Sequence, residues 1–275
     1  MRVVPRLLSL GHEVTAFSRS DANRAAIERA GARPVSELAL AGHDAVINLA
    51  THVPPSSRAL MPGAWRATNR LRRELPPRIA SAAREHGVRR YIQESFAPAY
   101  PDRGDAWIDE SMPLAVTRYN SGIADAEAAV RAFDGDGVVL RFGFFYGPDS
   151  DFIHDIVKMV RKGWSPTMGR PEGYMSSISH DDAAEAVIAA LTLPRGTYNV
   201  VDDEPLTKRD LVDSLADRLG VPHPRFLPAW LPLLFGSLGR TLARSQRISN
   251  RKLREASAWR PKYPSVRDGW AAIVE

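Results

Sequence analysis

Four side chains with exchangeable protons stand just beyond apolar runs of the sequence: Ser95, Tyr100, Tyr119 and Tyr146. A tyrosine can give a proton to a substrate atom or take one from it, and a serine hydroxyl can orient the acceptor. Small residues matter at such places too. Asn48-Leu49-Ala50-Thr51 closes one apolar run, and Ala50 and Thr51 would let a ligand come close to the backbone. Two arginines could hold phosphate: Arg19, beside Ser18, and Arg247 near the C-terminus. As an ordinary surface arginine, Arg247 needs no such role. His180 and Asp182 are a weak metal pair; without a third ligand they read as structural, with Asp181 or Asp182 capping the helix that follows, and no metal is expected.

These residues need elements to position them. From Tyr119 to Pro148 the chain reads as helix, turn, strand and exit. Ile123, Ala126, Val130 and Phe133 recur at spacings of three and four, the stripe of a helix with one apolar face. Asp134-Gly135-Asp136-Gly137 supplies the turn. Val138-Val139-Leu140 is a buried strand, and Arg141-Phe142-Gly143 carries the chain out of the sheet. Ligands bind where such strands end, so Phe142 and Gly143 join the candidate site. Further strands are expected at 12–17, 32–35, 44–51, 89–96, 176–180 and 196–201. The helices between them lie at 1–10, 21–30, 65–86, 151–162, 183–193 and 208–219. Pro76-Pro77 should interrupt the 65–86 helix or mark a junction.

Composition narrows the classes. The 275 residues, 44% of them hydrophobic, can build one large α/β domain or a nucleotide-binding domain with a cap. No cysteine is present, which excludes disulfides and thiolate chemistry and suits a reducing compartment; a cytoplasmic location is expected. No uninterrupted apolar run is long enough to span a membrane: Phe226–Leu242 is broken by Pro228, Pro232, Gly236 and Gly239. Net charge is +5, but the basic residues are scattered apart from Arg70-Arg72-Arg73 and the stretch Arg240–Arg254. They read as a solvated surface. Neither a nucleic-acid nor a membrane partner is expected, and a homodimer is left open.

Tyr119 with Glu127 eight residues on, Leu140-Arg141 and Tyr146-Gly147-Pro148 together resemble the extended short-chain dehydrogenase/reductases, specifically the NAD-dependent epimerase/dehydratase family. The resemblance implies a doubly wound, mostly parallel Rossmann-type sheet over 1–150. It also implies a substrate cap over 151–275, with 176–194 packing back on the sheet. It implies an NAD(P)-dependent epimerase, dehydratase or reductase acting on a small polar, sugar-like molecule. Tyr119 and Ser95 are then the catalytic candidates. Ser18, Arg19, Asn48, Leu49, Ala50, Thr51, Tyr119, Phe142 and Gly143 are the cofactor candidates, and Tyr100, Tyr146 and Arg247 the substrate contacts. Arg19, with Ser18 where an acidic residue would favour NAD(H), tips the expectation toward NADP(H).

Three departures from the family stand out. A lysine normally follows the tyrosine by four residues and lowers its pKa; here that position is Ile123. The orienting serine or threonine aligns with Phe96, and Ser95 is one place too early, which on a strand sends a side chain to the other face. No G-x-x-G-x-x-G loop occurs, and the family's first strand and that loop are expected before residue 1, as in a misassigned start or a fragment. Without that strand, the strands at 12–17 and 44–50 should either keep unpaired edges or close on each other. A non-catalytic NADP(H)-sensing protein, or an inactive fragment, is the alternative reading.

Overall fold

The computed structural model describes residues 2–18, 20–55, 58–61 and 63–274. The chain begins with α1 (Val3–Ser9), β1 (Thr15–Phe17), α2 (Asp21–Arg29), β2 (Arg33–Val35) and β3 (Ala45–Asn48). It continues with α3 (Arg66–Glu85), β4 (Arg90–Phe96), β5 (Trp107–Ile108), α4 (Gly122–Arg131), β6 (Asp136–Phe142) and β7 (Phe144–Tyr146). Next come α5 (Asp151–Arg161), β8 (Tyr174–Met175), β9 (Ser177–Ser179), α6 (His180–Ala189), β10 (Gly196–Val200), β11 (Leu206–Thr207) and α7 (Lys208–Leu219). The C-terminal part carries α8 (Gly236–Leu242), β12 (Arg247–Ile248) and α9 (Arg251–Ala256).

The centre is a four-stranded parallel sheet in the order β3-β4-β6-β10. Val46 and Leu140 therefore lie in one sheet. Helices cover both faces, which is why the strands read as near-continuous apolar runs. On one face Ile79, Ala80 and Ala83 of α3 meet Tyr91, Val139 and, from α4, Val130. On the other, Ala183, Ala186 and Val187 of α6 pack on Ile92, Val138 and Leu140, joined by Leu253 and Trp259 from the C-terminal part. A β-carbon on Gly137 would lie 2.8 Å from the Val130 carbonyl oxygen, so glycine sets how closely α4 approaches β6.

Two local expectations change, and a third is decided between its alternatives. α3 runs unbroken through Pro76 and Pro77. Each proline removes one backbone donor, at a cost of about 3 kcal/mol in an exposed helix interior. Here Pro76 belongs to the buried face, so packing against the sheet offsets that loss. The cap of α6 is Ser179, whose hydroxyl accepts from the Asp182 amide, rather than Asp181 or Asp182. Third, β1 and β2 pair only with each other, and β3 is the outer strand of the four. Among the described residues β1 and β3 do not close on each other.

A second apolar cluster joins α5 and α7 to Val266 and Trp270. Lys208, at the start of α7, is almost wholly buried and donates to the carbonyls of Met168, Leu242, Ala243 and Arg244 at 2.6–3.2 Å. Burial pushes its pKa down to about 8. The ammonium fastens the 168–173 turn to the end of α8.

Candidate functional site

The carboxyl ends of β3, β4 and β6 open toward one region, and α4 delivers Tyr119 to it. Asn69 of α3 holds the approach to α4: its amide donates to the Tyr119 carbonyl (2.9 Å) and its oxygen accepts from the Gly122 amide (3.0 Å). A β-carbon on Gly122 would sit 2.6 Å from the Asn69 carbonyl, so only glycine allows α3 and α4 to meet here. The Tyr119 ring meets Trp65 edge-on, with centroids 4.8 Å apart. Trp65 donates to the Ala59 carbonyl, and Thr68 donates to the His52 carbonyl, which ties Ala59 and His52 to the start of α3. Phe96, at the end of β4, lies edge-on to Phe144 at 6.0 Å. The walls are aromatic.

Among the described residues no side chain activates Tyr119 as a base. Ile123 is completely buried. Burial pushes the phenol above its ordinary value, and Arg72 alone pulls it back. That guanidinium is already engaged, because its Nε and Nη2 donate to the two carboxylate oxygens of Glu94, each at 2.9 Å. Arg72 and Glu94 are 9% and 8% exposed, so the pair is closed to water. Arg72 thus lies inside the fold, against the expectation of a solvated surface for the 70–73 arginines. Neither it nor Trp65 was singled out from sequence. The ion pair joins positions 22 residues apart on a helix and a strand, and no local pattern marks such a contact.

The other expected site residues divide clearly. Leu49, Ala50 and Thr51 are exposed at the end of β3, as is Val53 beyond them. Asn48 is buried, donating to Gln93 (2.8 Å) and accepting from the Ala50 amide (3.1 Å), which fixes this exit. Ser95 is buried and donates to Glu127 at 2.6 Å. Glu127 also receives Nε and Nη2 of Arg141 at 2.8 and 2.7 Å. Burial opposes the ionised Glu127 carboxylate, but Arg141 and Ser95 outweigh it and hold its pKa below the ordinary value. Tyr100 has no exposed surface; it accepts from Arg141 at 2.6 Å and donates to Asn199 at 2.8 Å, and burial pushes it up to about 12. Ser95 and Tyr100 therefore serve an internal network and face no opening.

Phe142 is in the core of the sheet. Gly143 marks a close approach, since a β-carbon there would lie 2.7 Å from the Ser176 carbonyl. Tyr146 is buried on Gly269 and Trp270. Ser18 is buried and exchanges hydrogen bonds with Ser20 at the start of α2, and Arg19 lies outside the described residues. Arg247 is sandwiched between Trp107 (4.2 Å) and Tyr174 (5.0 Å). Among the described residues no group of acidic or histidine side chains could hold a metal ion. His180 instead contacts Asp149, and Asp182 accepts from the Lys262 and Tyr263 amides.

The β3 exit presents two small side chains, Ala50 and Thr51, between the exposed apolar surfaces of Leu49 and Val53. A parallel sheet covered on both faces, with its ligand region at the strand ends, defines the nucleotide-binding α/β class. A family profile described as NAD(P)H-binding matches residues 1–194. The chain belongs to that family, within the extended short-chain epimerase, dehydratase and reductase group.

Relatives agree. The chain is 33% identical over 289 residues to the 3-diazoavenalumate denitrifying reductase of a Streptomyces species, covering 97% of this chain and 94% of that protein. An epimerase family protein of Mycobacterium bovis is 26% identical over 197 residues, or 70% of this chain and 65% of that one. Among solved structures, a human epimerase family protein with NADPH superposes with a TM-score of 0.83 at 20% identity, covering 99% and 94% of the two chains. MoeE5 with UDP-glucuronic acid and NAD gives 0.74 at 20% identity, covering 99% and 93%.

Proposed function

We propose that the chain is an NADPH-dependent reductase that works in the reducing direction on an electrophilic, aromatic small molecule. The observation that carries this reading is the state of Tyr119. Epimerases and dehydratases of this group start by oxidising a hydroxyl, which needs a base to take its proton. Tyr119, with Ile123 four residues on and Arg72 neutralised by Glu94, stays a phenol. A phenol can donate a proton or a hydrogen bond, and reduction asks nothing more of it. Bound NADPH supplies hydride. Leu49, Ala50 and Thr51 would line its ring and ribose, and Trp65, Phe96 and Phe144 would hold the acceptor flat.

The substrate class follows from the same walls. With Phe96 where a hydroxyl would orient a sugar oxygen, a planar aromatic acceptor suits the site better than a sugar. The Streptomyces relative is named for reductive denitrification of a diazo compound. By extension, hydride forms the new C–H bond of an aryl diazo substrate while the C–N pair leaves with dinitrogen, a step needing no base. The preference for NADPH over NADH rests on Ser18 and Arg19.

The test is an NADPH-oxidation assay with an aryl diazonium and an aromatic aldehyde, against a nucleotide sugar with NAD+. Reduction of either aromatic with NADPH, weakened selectively by Arg19→Ala, is the expected result. Turnover confined to sugar oxidation with NAD+ would overturn the reading, and no turnover at all would favour the non-catalytic sensor.

A further inference from the structure

The C-terminal part of the chain carries an apolar surface that the proposed reduction does not use. From Leu227 to Trp230 every residue is exposed, and Leu233 and Leu234 of the following single turn are 64% and 70% exposed. The turn is rigidly mounted: a β-carbon on Gly239 of α8 would fall 1.9 Å from the Pro232 carbonyl oxygen. These side chains project because the backbone beneath them is locked. Trp164, itself exposed, extends the surface, since it bridges to Arg225, two residues before Leu227.

Charge decides what this surface faces. From Arg218 to Arg254 the sequence holds eight Lys/Arg and no Asp or Glu. Arg225 and Arg240, exposed on either side of the projecting turn, make no ion pair among the described residues, and neither do Arg161 and Lys162 beside Trp164. Two carboxylates of the preceding helix α7, Asp213 and Asp217, are both in contact with His223.

We infer that this face docks on an anionic lipid surface, with Trp230, Leu233 and Leu234 entering the headgroup boundary and the flanking arginines and lysine meeting lipid phosphates. Tryptophan and leucine on a projecting turn ringed by cations are the composition of a peripheral membrane contact. Nucleic acid would use the cations but not two adjacent projecting leucines. No described helix is long and apolar enough to cross a bilayer, so the contact is peripheral. The surface is also next to the chemistry: Thr241 of α8 lies 3.1 Å from Thr117, two residues before Tyr119. A docked molecule would present its site close to the lipid boundary.

The test is co-sedimentation of the purified chain with phosphatidylglycerol/phosphatidylcholine vesicles and with phosphatidylcholine alone, at low and high salt. Binding to the anionic vesicles, weakened by salt, is expected. Leu233→Ser with Leu234→Ser should lower partitioning about tenfold or more. Arg225→Glu with Arg240→Glu should do so by a similar factor. All four positions are exposed, so thermal melting should be unchanged, and either pair serves if the other fails to fold. Absence of binding to anionic vesicles, or binding indifferent to both pairs, overturns the inference. So does an oligomer in sedimentation velocity that Leu233→Ser disperses, which would assign the face to a second copy of the chain.

Discussion

Two buried arginines grip carboxylates in the same way and serve different ends. Arg141 holds Glu127 and Arg72 holds Glu94, each through two hydrogen bonds of 2.9 Å or less. The two networks start from consecutive residues of β4, Glu94 and Ser95. The Arg141 network runs on through Ser95 on one side and through Tyr100 and Asn199 to the Ser249 carbonyl on the other, inside the fold. The Arg72 network stops beside Tyr119. Identical chemistry is thus a structural tie in one place and the electrostatic setting of a site in the other, and only the neighbours distinguish them.

Breaking the first tie should have the largest effect. Arg141→Met leaves Glu127 buried and short of its main partner; removing one member of a buried pair costs about 3–5 kcal/mol. Chemical denaturation should show that loss, and a change below ~1 kcal/mol would mean that the network is not a tie.

Tyr119→Phe tests the other region. It should lower the rate of aromatic aldehyde reduction about 10²-fold, the lower end for a general acid. Diazonium reduction, which consumes no proton, should stay nearly unchanged, with little change in NADPH affinity and no loss of stability. Unchanged aldehyde turnover would place the proton donor elsewhere.

Glu94→Gln sharpens the comparison further. It keeps a hydrogen-bonding partner for Arg72 but removes the charge that neutralises it, so the Tyr119 phenol should titrate at lower pH and the alkaline limb of the rate profile should follow. A profile identical to the unmutated protein would show that Arg72 does not act on Tyr119.

The smallest effect concerns Asp202, buried with no side-chain hydrogen-bond partner among the described residues and only a weak pull from the Val266 amide. Burial, then Asp203 and Glu204, push its pKa well above the ordinary value. The native state therefore keeps a proton that the unfolded chain releases near pH ~3.9. Stability is full below that value and falls as pH rises toward the raised native pKa. Asp202→Asn should remove the decline, so that its denaturation midpoints at pH 4 and pH 8 differ less than those of the unmutated protein.

Much of the fold was legible because it repeats local rules. The stripe from Ile123 to Phe133, the glycine turn and the apolar run at 138–140 fix a helix and a strand without tertiary knowledge. Pro76-Pro77 misled because a local breaker rule lost to the packing of a twenty-residue helix against the sheet. For the proposed site, Tyr119 was singled out because its spacing to Glu127 resembles the family pattern. Ser95 and Tyr100 have the right types for chemistry, but partners 32 and 99 residues away engage them. Arg72 looked like surface charge for the same reason in reverse, its carboxylate lying on another element.

The central claim is that Tyr119 remains a phenol at working pH. Tyrosine labelled with ¹³C at the ring carbon bearing oxygen, with Tyr119→Phe to assign the signal, reports each ionisation by NMR. The Tyr119 resonance should stay that of the protonated ring past pH ~10, where a free tyrosine is half ionised. A titration centred near neutral pH would contradict the account and return the site to base-assisted oxidation.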